Sequence, residues 1–228
     1  MTAGQPACYS TVTSRLLLVG NIMSRTELHD PDIALHSGCD GEIKRPPRER
    51  ILNSASELFR THGIGAVGVE IIAELANSNK MTLYRHFGSK EELLCACLRM
   101  HAEKTTEIWQ SLEDRYPGDA AKQLRAWVEE VTDVVFSDNS ACLLANVAVE
   151  QKDPNHGIHR IIADAKEAYR VKLTDLCRRA GVAEAEQLAD ALTLLFEGAR
   201  IISQSAGPDG PHQKLKQSCL AMINAFSR

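Results

Sequence analysis

Residues 69–92 constrain the fold of this chain more than any other stretch. Apolar residues recur at helical spacing up to Leu75, and three short polar residues at 77–79 then favour a turn followed by the N-cap of a new helix. Leu83 and Phe87 lie four residues apart and form the buried stripe of that second, short helix. Two short helices joined by a tight turn predict a helix-turn-helix unit.

An amphipathic helix precedes this unit and a capping box follows it. From about Arg48 to His62 the apolar residues follow the i, i+3, i+4, i+7, i+8 pattern, and Gly63 ends the helix. Ser89 lies three residues before Glu92, so it caps and starts a longer helix. The predicted core of the three-helix unit consists of Leu58, Phe59, Ile72, Leu83 and Phe87.

The segment KMTLYRHFGSKEELL, with the preceding IIAELA and the upstream RERILNSASELFRTHG, resembles the DNA-binding domain of the TetR family of bacterial transcriptional regulators. The resemblance is dense from about residue 48 to residue 94, and beyond that only helical layout and size are shared. It divides the chain after residue 43 into a DNA-binding domain at 44–94 and a helical effector-binding and dimerisation domain at 95–228. Residues 1–43 lack sustained periodicity and mix Gly, Pro, Ser, Thr and Asp, so we expect a mostly disordered N-terminal extension. The resemblance implies a homodimer that binds a palindromic operator, more often as a repressor, and is released by a small effector.

The resemblance also implies which residues contact double-stranded DNA. They are the phosphate-binding Tyr84 and Lys90, the assisting Thr82 and His86, and the base-facing Lys80, Met81 and Arg85. Asn79, at the turn, caps the reading helix and places free backbone N–H groups near a phosphate, while Arg85 can donate a bidentate pair to guanine O6 and N7. For Tyr84 the alternative is aromatic packing at the edge of the core. For His86 a contact with DNA and a purely structural role are equally well supported by the sequence.

Several residues depart from the family pattern. Gly68 stands where Ser or Thr commonly caps the second helix, and Glu70 would face phosphates unfavourably. Ser78 replaces a buried valine, and Met81 brings an apolar side chain towards the groove. Asn77 takes the place of a glycine and is expected to adopt the left-handed conformation that glycine usually supplies. Gly68, Glu70 and Ser78 leave open an alternative function, that of a helical interaction adaptor with degenerate DNA binding.

Charge is distributed unevenly along the chain. The net charge is −4, but residues 44–104 hold 10 Lys and Arg against 7 Asp and Glu. The basic part coincides with the predicted DNA-binding region, although ordinary variation in surface charge explains it equally well. Residues 44–48, Lys-Arg-Pro-Pro-Arg, form either a basic arm that contacts phosphates or the minor groove, or a solvated linker.

The region after residue 94 reads as helices throughout, so the whole chain is predicted to be all-α with about nine helices. The resemblance implies that the last two helices, at 184–205 and 212–226, form the homodimer interface; the alternative is that they only close the monomer core. An apolar cavity among the middle helices is expected to bind a small effector. Its candidate contacts, each of which can instead be plain core or surface, are Trp127, Phe136, Asn146, Gln151, His159, Tyr169 and Phe196.

Other classes of protein are disfavoured. The chain contains no GxSxG, HExxH, phosphate-binding loop or dinucleotide fingerprint, so we expect no enzyme and no cofactor. Seven scattered cysteines without a CxxC pair argue against a disulfide framework or zinc site, and we expect buried, inert thiols. His156 and His159 lack a nearby third ligand, so no metal is expected. The longest early apolar run, at 16–19, is too short for a membrane span, and the protein is predicted to be cytoplasmic.

Overall fold

The computed structural model describes residues 45–137, 142–153, 156–206 and 209–227, and every regular element within these ranges is a helix. The all-α prediction with about nine helices is therefore confirmed, while the extension at 1–43 lies outside the described residues. A 3₁₀ helix, Pro211–Lys214, precedes the last α-helix. The α-helices are α1 Pro47–His62, α2 Val69–Leu75, α3 Lys80–Phe87, α4 Lys90–Arg115, α5 Ala120–Ser137, α6 Leu143–Glu150, α7 Gly157–Arg179, α8 Ala185–Ser205 and α9 Leu215–Phe226.

Helices α1–α3 pack around the predicted core. Proline occupies the first position of α1, where its missing N–H costs nothing, and Gly63 ends the helix at φ 78°. Phe59, Ile72 and Leu83 are fully buried, and Leu58 packs against the same cluster at partial exposure. The three-helix core predicted from periodicity is present, with apolar residues from all three helices in contact.

The core of α1–α3 also contains residues from distant parts of the chain. Leu93 and Leu98 of α4 are fully buried in this first cluster. It is completed by Leu143 of α6 and by Ile158 and Ile162 in the first turns of α7. Helices from beyond residue 94 thus share the core of the DNA-binding domain, and the predicted domain boundary at residue 94 stays a prediction.

A second cluster forms around Trp127. It joins α5, the C-terminal half of α7, α8 and α9, and α4 reaches it through Leu112 near its C-terminal end. Trp127 is fully buried, as are Leu188 and Leu192 of α8. Because α4 and α7 each contribute to both clusters, these two helices run between the DNA-binding domain and the C-terminal bundle.

One predicted helix differs from the structure. The segment 212–226 was expected as a single α-helix, but it begins with the tighter 3₁₀ helix, and α9 starts only at Leu215. Pro211 occupies the first position of the 3₁₀ helix, where its fixed φ suits a tight turn at a helix N-terminus. None of the described helices is long and apolar enough to cross a bilayer.

Candidate nucleic-acid interface

The turn between α2 and α3 is closed by backbone geometry. Asn77 has φ 46°, so it supplies the left-handed conformation that was predicted for it. The Ser78 N–H donates to the Ala73 carbonyl at 2.9 Å, which closes the turn without a buried valine. Asn79 caps α3 as predicted, since its Oδ1 accepts a hydrogen bond from the Thr82 N–H at 2.8 Å.

Arg50 holds this turn from the side of α1. Its Nε donates to the Ala76 carbonyl at 2.9 Å and its Nη2 donates to the Asn77 carbonyl at 3.0 Å. Its Nη1 donates to the Arg45 carbonyl at 2.8 Å, which ties the N-terminal arm to the same guanidinium. A cation at the C-terminal end of α2 is favourable because the last carbonyls of a helix lack internal partners. Sequence reasoning missed this role of Arg50, because no pattern in the neighbouring residues indicates it.

Helix α3 separates a buried stripe from an exposed face. Leu83 and Phe87 are buried, whereas Met81 is 85% exposed and Tyr84 is 39% exposed. Arg85, two residues beyond Leu83, lies on the side of the helix opposite the stripe and is exposed. We call the remaining side chains of α3, all exposed except the half-buried Thr82, the reading surface: Lys80, Met81, Thr82, Tyr84, Arg85 and His86.

The cations predicted to contact DNA differ in their partners. Lys80 Nζ lies 2.5 Å from Glu70 Oε1, and this hydrogen bond lowers the pKa of Glu70 and raises the pKa of Lys80. The half-buried Lys90 donates to the Ile64 carbonyl at 2.6 Å and lies 5.9 Å above the Phe59 ring. Arg85 has no ion pair within the part of the chain that the structure describes. Its guanidinium is the least engaged of the three.

The basic arm at 44–48, whose last two residues open α1, contacts the reading helix. The Arg48 guanidinium lies 5.2 Å from the centroid of the Phe87 ring, the last residue of α3. Arg45 Nε lies 3.6 Å from Glu49 Oε1, an exposed pair one helical turn apart. Lys44 lies outside the described residues. The arm therefore places Arg48 beside the reading surface, and its contact with phosphates stays a prediction.

A carboxylate from α6 holds the connection between α1 and α2. Glu150 Oε2 accepts hydrogen bonds from the Ile64 N–H at 2.8 Å and the Gly65 N–H at 3.3 Å. Gly63 permits this approach, because a Cβ there would lie 2.6 Å from Glu150 Oε1. With Lys90 on the Ile64 carbonyl, this connection is held by ionic side chains of α4 and α6. Sequence reasoning missed the contact, which joins residues 86 positions apart.

Three of the seven predicted effector contacts lie in the second cluster. Trp127 Nε1 donates to the Tyr169 hydroxyl at 2.8 Å, and burial raises the pKa of Tyr169. The Tyr169 ring lies 5.0 Å from that of Trp109, which sequence reasoning missed. Phe196 packs against the same cluster beneath the Arg200 guanidinium, at 5.5 Å. These residues form an aromatic and cationic group, and its contact with an effector stays a prediction.

The other predicted effector contacts lie elsewhere. Asn146 donates to the Arg60 carbonyl at 3.4 Å, and His159 Nε2 is 3.0 Å from the Gln151 carbonyl oxygen, so these three side chains lie near α6. Phe136 is 5.6 Å from the His212 ring. The structure thus distributes the seven candidates over three places. Two surface clefts of about 340 and 280 Å³ are lined by other residues of α4, α5, α7 and α8.

His156 is engaged in local polar contacts, and most of the described cysteines are buried. His156 Nδ1 accepts a hydrogen bond from the Ile158 N–H, and its Nε2 is 3.2 Å from Glu91 Oε1. No group of three metal-ligating side chains occurs among the described residues. Burial raises the pKa of Cys97 to about 12, and Cys95, Cys177 and Cys219 are also buried, whereas Cys142 is half-buried. The two N-terminal cysteines lie outside the described residues.

A family model matches the region that contains this surface. The model for bacterial regulatory proteins of the tetR family matches residues 51–97, which include α2, α3 and most of α1. This region of the chain belongs to the tetR family. The family resemblance inferred from the motif is confirmed. The match contains the turn between α2 and α3 and all eight predicted DNA contacts, from Asn79 to Lys90.

Two curated relatives match shorter parts of this chain at higher identity than the solved structures do. It is 38% identical over 93 residues to the HTH-type transcriptional activator FasR of Mycolicibacterium smegmatis, which covers 40% of this chain and 42% of that protein. It is 36% identical over 63 residues to the HTH-type transcriptional regulator QacR of Staphylococcus aureus, covering 28% and 34%. The chain therefore spans less than half the length of these relatives. Their names are those of regulators, which confirms the expectation of a family without enzymatic activity.

Solved structures of tetR-family proteins share the fold over a greater length. SCO4454, a TetR-family transcriptional regulator from Streptomyces coelicolor, superposes with a TM-score of 0.71 at 24% identity, covering 80% of this chain and 96% of that one. A TetR transcriptional regulator from Legionella pneumophila gives a TM-score of 0.68 at 20% identity, covering 79% and 97%. At these identities the likeness concerns the fold alone, and it extends through the C-terminal helices.

Proposed function

We propose that this protein is a homodimeric transcriptional regulator that binds a palindromic DNA operator through the reading surface and is released by a small, largely apolar effector. One observation carries the proposal. Helix α3 is the second helix of the helix-turn-helix. It buries Leu83 and Phe87, while Arg85 and Met81 are exposed on its outer face. That arrangement suits insertion of an exposed helix face into the major groove.

The rigidity of the turn supports the proposal. A reading helix must be held in a defined orientation, because base contacts depend on donors placed within hydrogen-bond distance of base edges. Asn79 caps α3, and Arg50 holds the carbonyls at the end of α2. Ser78 and Gly68, which suggested a degenerate motif, leave a closed turn and an extended N-cap. The adaptor function is therefore the weaker hypothesis.

Exposed apolar residues on α8 support dimerisation. Leu194 is 74% exposed and Ile201 is 57% exposed, and their spacing of seven residues places them on one face of the helix. Large apolar side chains exposed along one helix face favour a protein interface over solvent. Packing of this face against its copy about a twofold axis suits two half-sites of a palindrome, separated by about 34–36 Å.

The position of α4 supports a response to an effector. This helix starts beside the reading surface and reaches the second cluster, where Trp109 in its C-terminal half contacts Tyr169 of α7. A ligand that displaced Tyr169 would shift the C-terminal end of α4. A shift transmitted to the start of α4 would change the separation of the two reading surfaces and weaken operator binding.

The proposal is tested by selecting duplexes from a random pool with the purified protein. An enriched inverted repeat, bound by two copies of the chain, is the expected result. Placing that repeat upstream of a reporter gene then gives the sign of regulation. We expect reduced reporter expression, the result for a repressor. Increased expression would instead make the protein an activator, which is what the name of FasR says of that relative. A pool that shows no enrichment would favour the adaptor function.

A further inference from the structure

Glu70 faces the first residue of the reading helix across the turn. It is the second residue of α2, and its carboxylate accepts a hydrogen bond from Lys80 Nζ and from its own backbone N–H. Both side chains are more than half exposed, at 65% for Glu70 and 53% for Lys80. The pair therefore lies at the surface that would meet DNA, and the carboxylate is a negative charge within it.

Gly68, two residues before Glu70, leaves room beside the carboxylate. A Cβ at Gly68 would lie 3.3 Å from Glu70 Oε2, a distance at which a neighbour must move by a few tenths of an ångström. The glycine cap and the acidic residue two positions later thus fit one another.

We infer that Glu70 is a positioning residue for Lys80 and that the pair raises DNA specificity by withholding the Lys80 ammonium from sequence-independent contacts with phosphate. This inference rests on the proposed function. Each phosphate that a protein neutralises contributes about 0.9 to the slope of log affinity against log salt, and such contacts carry no sequence information. A lysine paired with a carboxylate adds little to that attraction, whereas Arg85 remains available for bases.

The Glu70→Gln substitution removes the charge and keeps the size of the side chain. For a fluorescein-labelled duplex of random sequence, we expect its salt slope to steepen by about 0.9. Over one decade of salt this corresponds to roughly eightfold tighter binding at 0.1 M, if the two proteins bind equally at 1 M. Affinity for the selected operator rises less, so the ratio of specific to nonspecific affinity falls. The temperature of unfolding stays unchanged, because both side chains are exposed.

Two further comparisons separate the pair from a general effect of charge. Glu74→Gln removes one negative charge from the exposed side of the same helix and should change the slope far less. Glu70→Gln combined with Lys80→Gln should show no steepening relative to Lys80→Gln alone. The inference would be overturned if Glu70→Gln changed the salt slope equally in the presence of Lys80 and in the Lys80→Gln background. It would also be overturned if Glu70→Gln and Glu74→Gln changed the slope equally.

The same titrations distinguish this inference from the proposed function. A wild-type protein that binds no duplex would overturn the proposed function and this inference with it. A wild-type protein that binds DNA with a steep salt slope, together with a Glu70→Gln variant that has the same slope and the same specificity ratio, would overturn only the inference about Glu70.

Discussion

The three-helix unit α1–α3 and the bundle formed by α5, α7, α8 and α9 are held together in different ways. Helices α2 and α3 contain 7 and 8 residues, fewer than the about 12–15 that an isolated helix needs to be marginally stable in water. Their order depends on a small apolar core and on polar contacts from Arg50, Lys90 and Glu150. The bundle instead has helices of 18, 23, 21 and 12 residues around a buried Trp127.

This difference explains where similarity to relatives concentrates. A short helix that presents donors to DNA must be held in one orientation, so its caps, turn and core residues are narrowly specified. Long helices that bury apolar side chains accept many combinations of similar volume. The family match accordingly covers residues 51–97, and the C-terminal helices share the fold at low identity.

The largest expected effect breaks the small core. Leu83 is fully buried, so Leu83→Ala should lower the free energy of unfolding by about 2–5 kcal/mol, through lost burial and a cavity. Met81→Ala is the matched control on the same helix, because Met81 is almost fully exposed. Chemical denaturation followed by circular dichroism measures both. Equal stabilities for the two variants would contradict the account of the core.

The second prediction concerns the exposed face of the bundle. Leu194→Glu would place an unpaired charge in the proposed interface, and we expect the dimer dissociation constant to rise by about 100-fold, or about 2.7 kcal/mol. Val149→Glu is the control, since Val149 is as exposed but lies on α6. Sedimentation velocity over a range of concentrations measures the effect. The proposed interface would be contradicted if the wild-type protein were a monomer, or if the Leu194→Glu variant still formed the dimer.

The third prediction concerns the least engaged cation of the reading surface. Arg85→Ala should weaken binding to the selected operator by about 1–3 kcal/mol if Arg85 donates a bidentate pair to guanine. Binding to random-sequence duplex should fall much less. His86→Ala, an exposed neighbour on the same helix, should have the smaller effect on the operator. Fluorescence anisotropy titrations compare the two duplexes, and equal losses on both would assign Arg85 to phosphate instead of base contact.

The smallest prediction concerns the connection held by Glu150. Gly63 has φ 78° and ψ 165°, a conformation that is nearly confined to glycine, so Gly63→Ala should destabilise the protein by roughly 1 kcal/mol or more. Gly65→Ala is the control, because a Cβ at Gly65 would meet no atom within 4 Å. Thermal unfolding measures both variants. A Gly63→Ala protein as stable as the Gly65→Ala protein would show that the connection relaxes without cost.

Sequence reasoning predicted the parts that depend on neighbouring residues. The ends of α1 and α8, the Asn79 cap and the left-handed Asn77 all follow from spacing and side-chain type within one or two turns. These features are local, so the sequence carries their signals directly.

Contacts between distant residues were missed for the opposite reason. Arg50 meets a carbonyl 26 residues away, and Glu150 meets an N–H 86 residues away. Nothing beside either residue indicates its partner. The seven effector candidates were chosen by residue type, and residue type does not decide whether side chains on different helices converge. Tyr169 and Trp127 meet, while Asn146 lies beside α1.

The most direct test of the central claim is the salt dependence of the wild-type protein's affinity for its selected duplex. If the reading surface and the basic arm neutralise about six phosphates, log affinity should fall against log salt with a slope of about −5. That slope, together with tighter binding to the selected duplex than to random sequence at every salt concentration, is the predicted result. A slope near zero, or equal affinity for both duplexes, would contradict it.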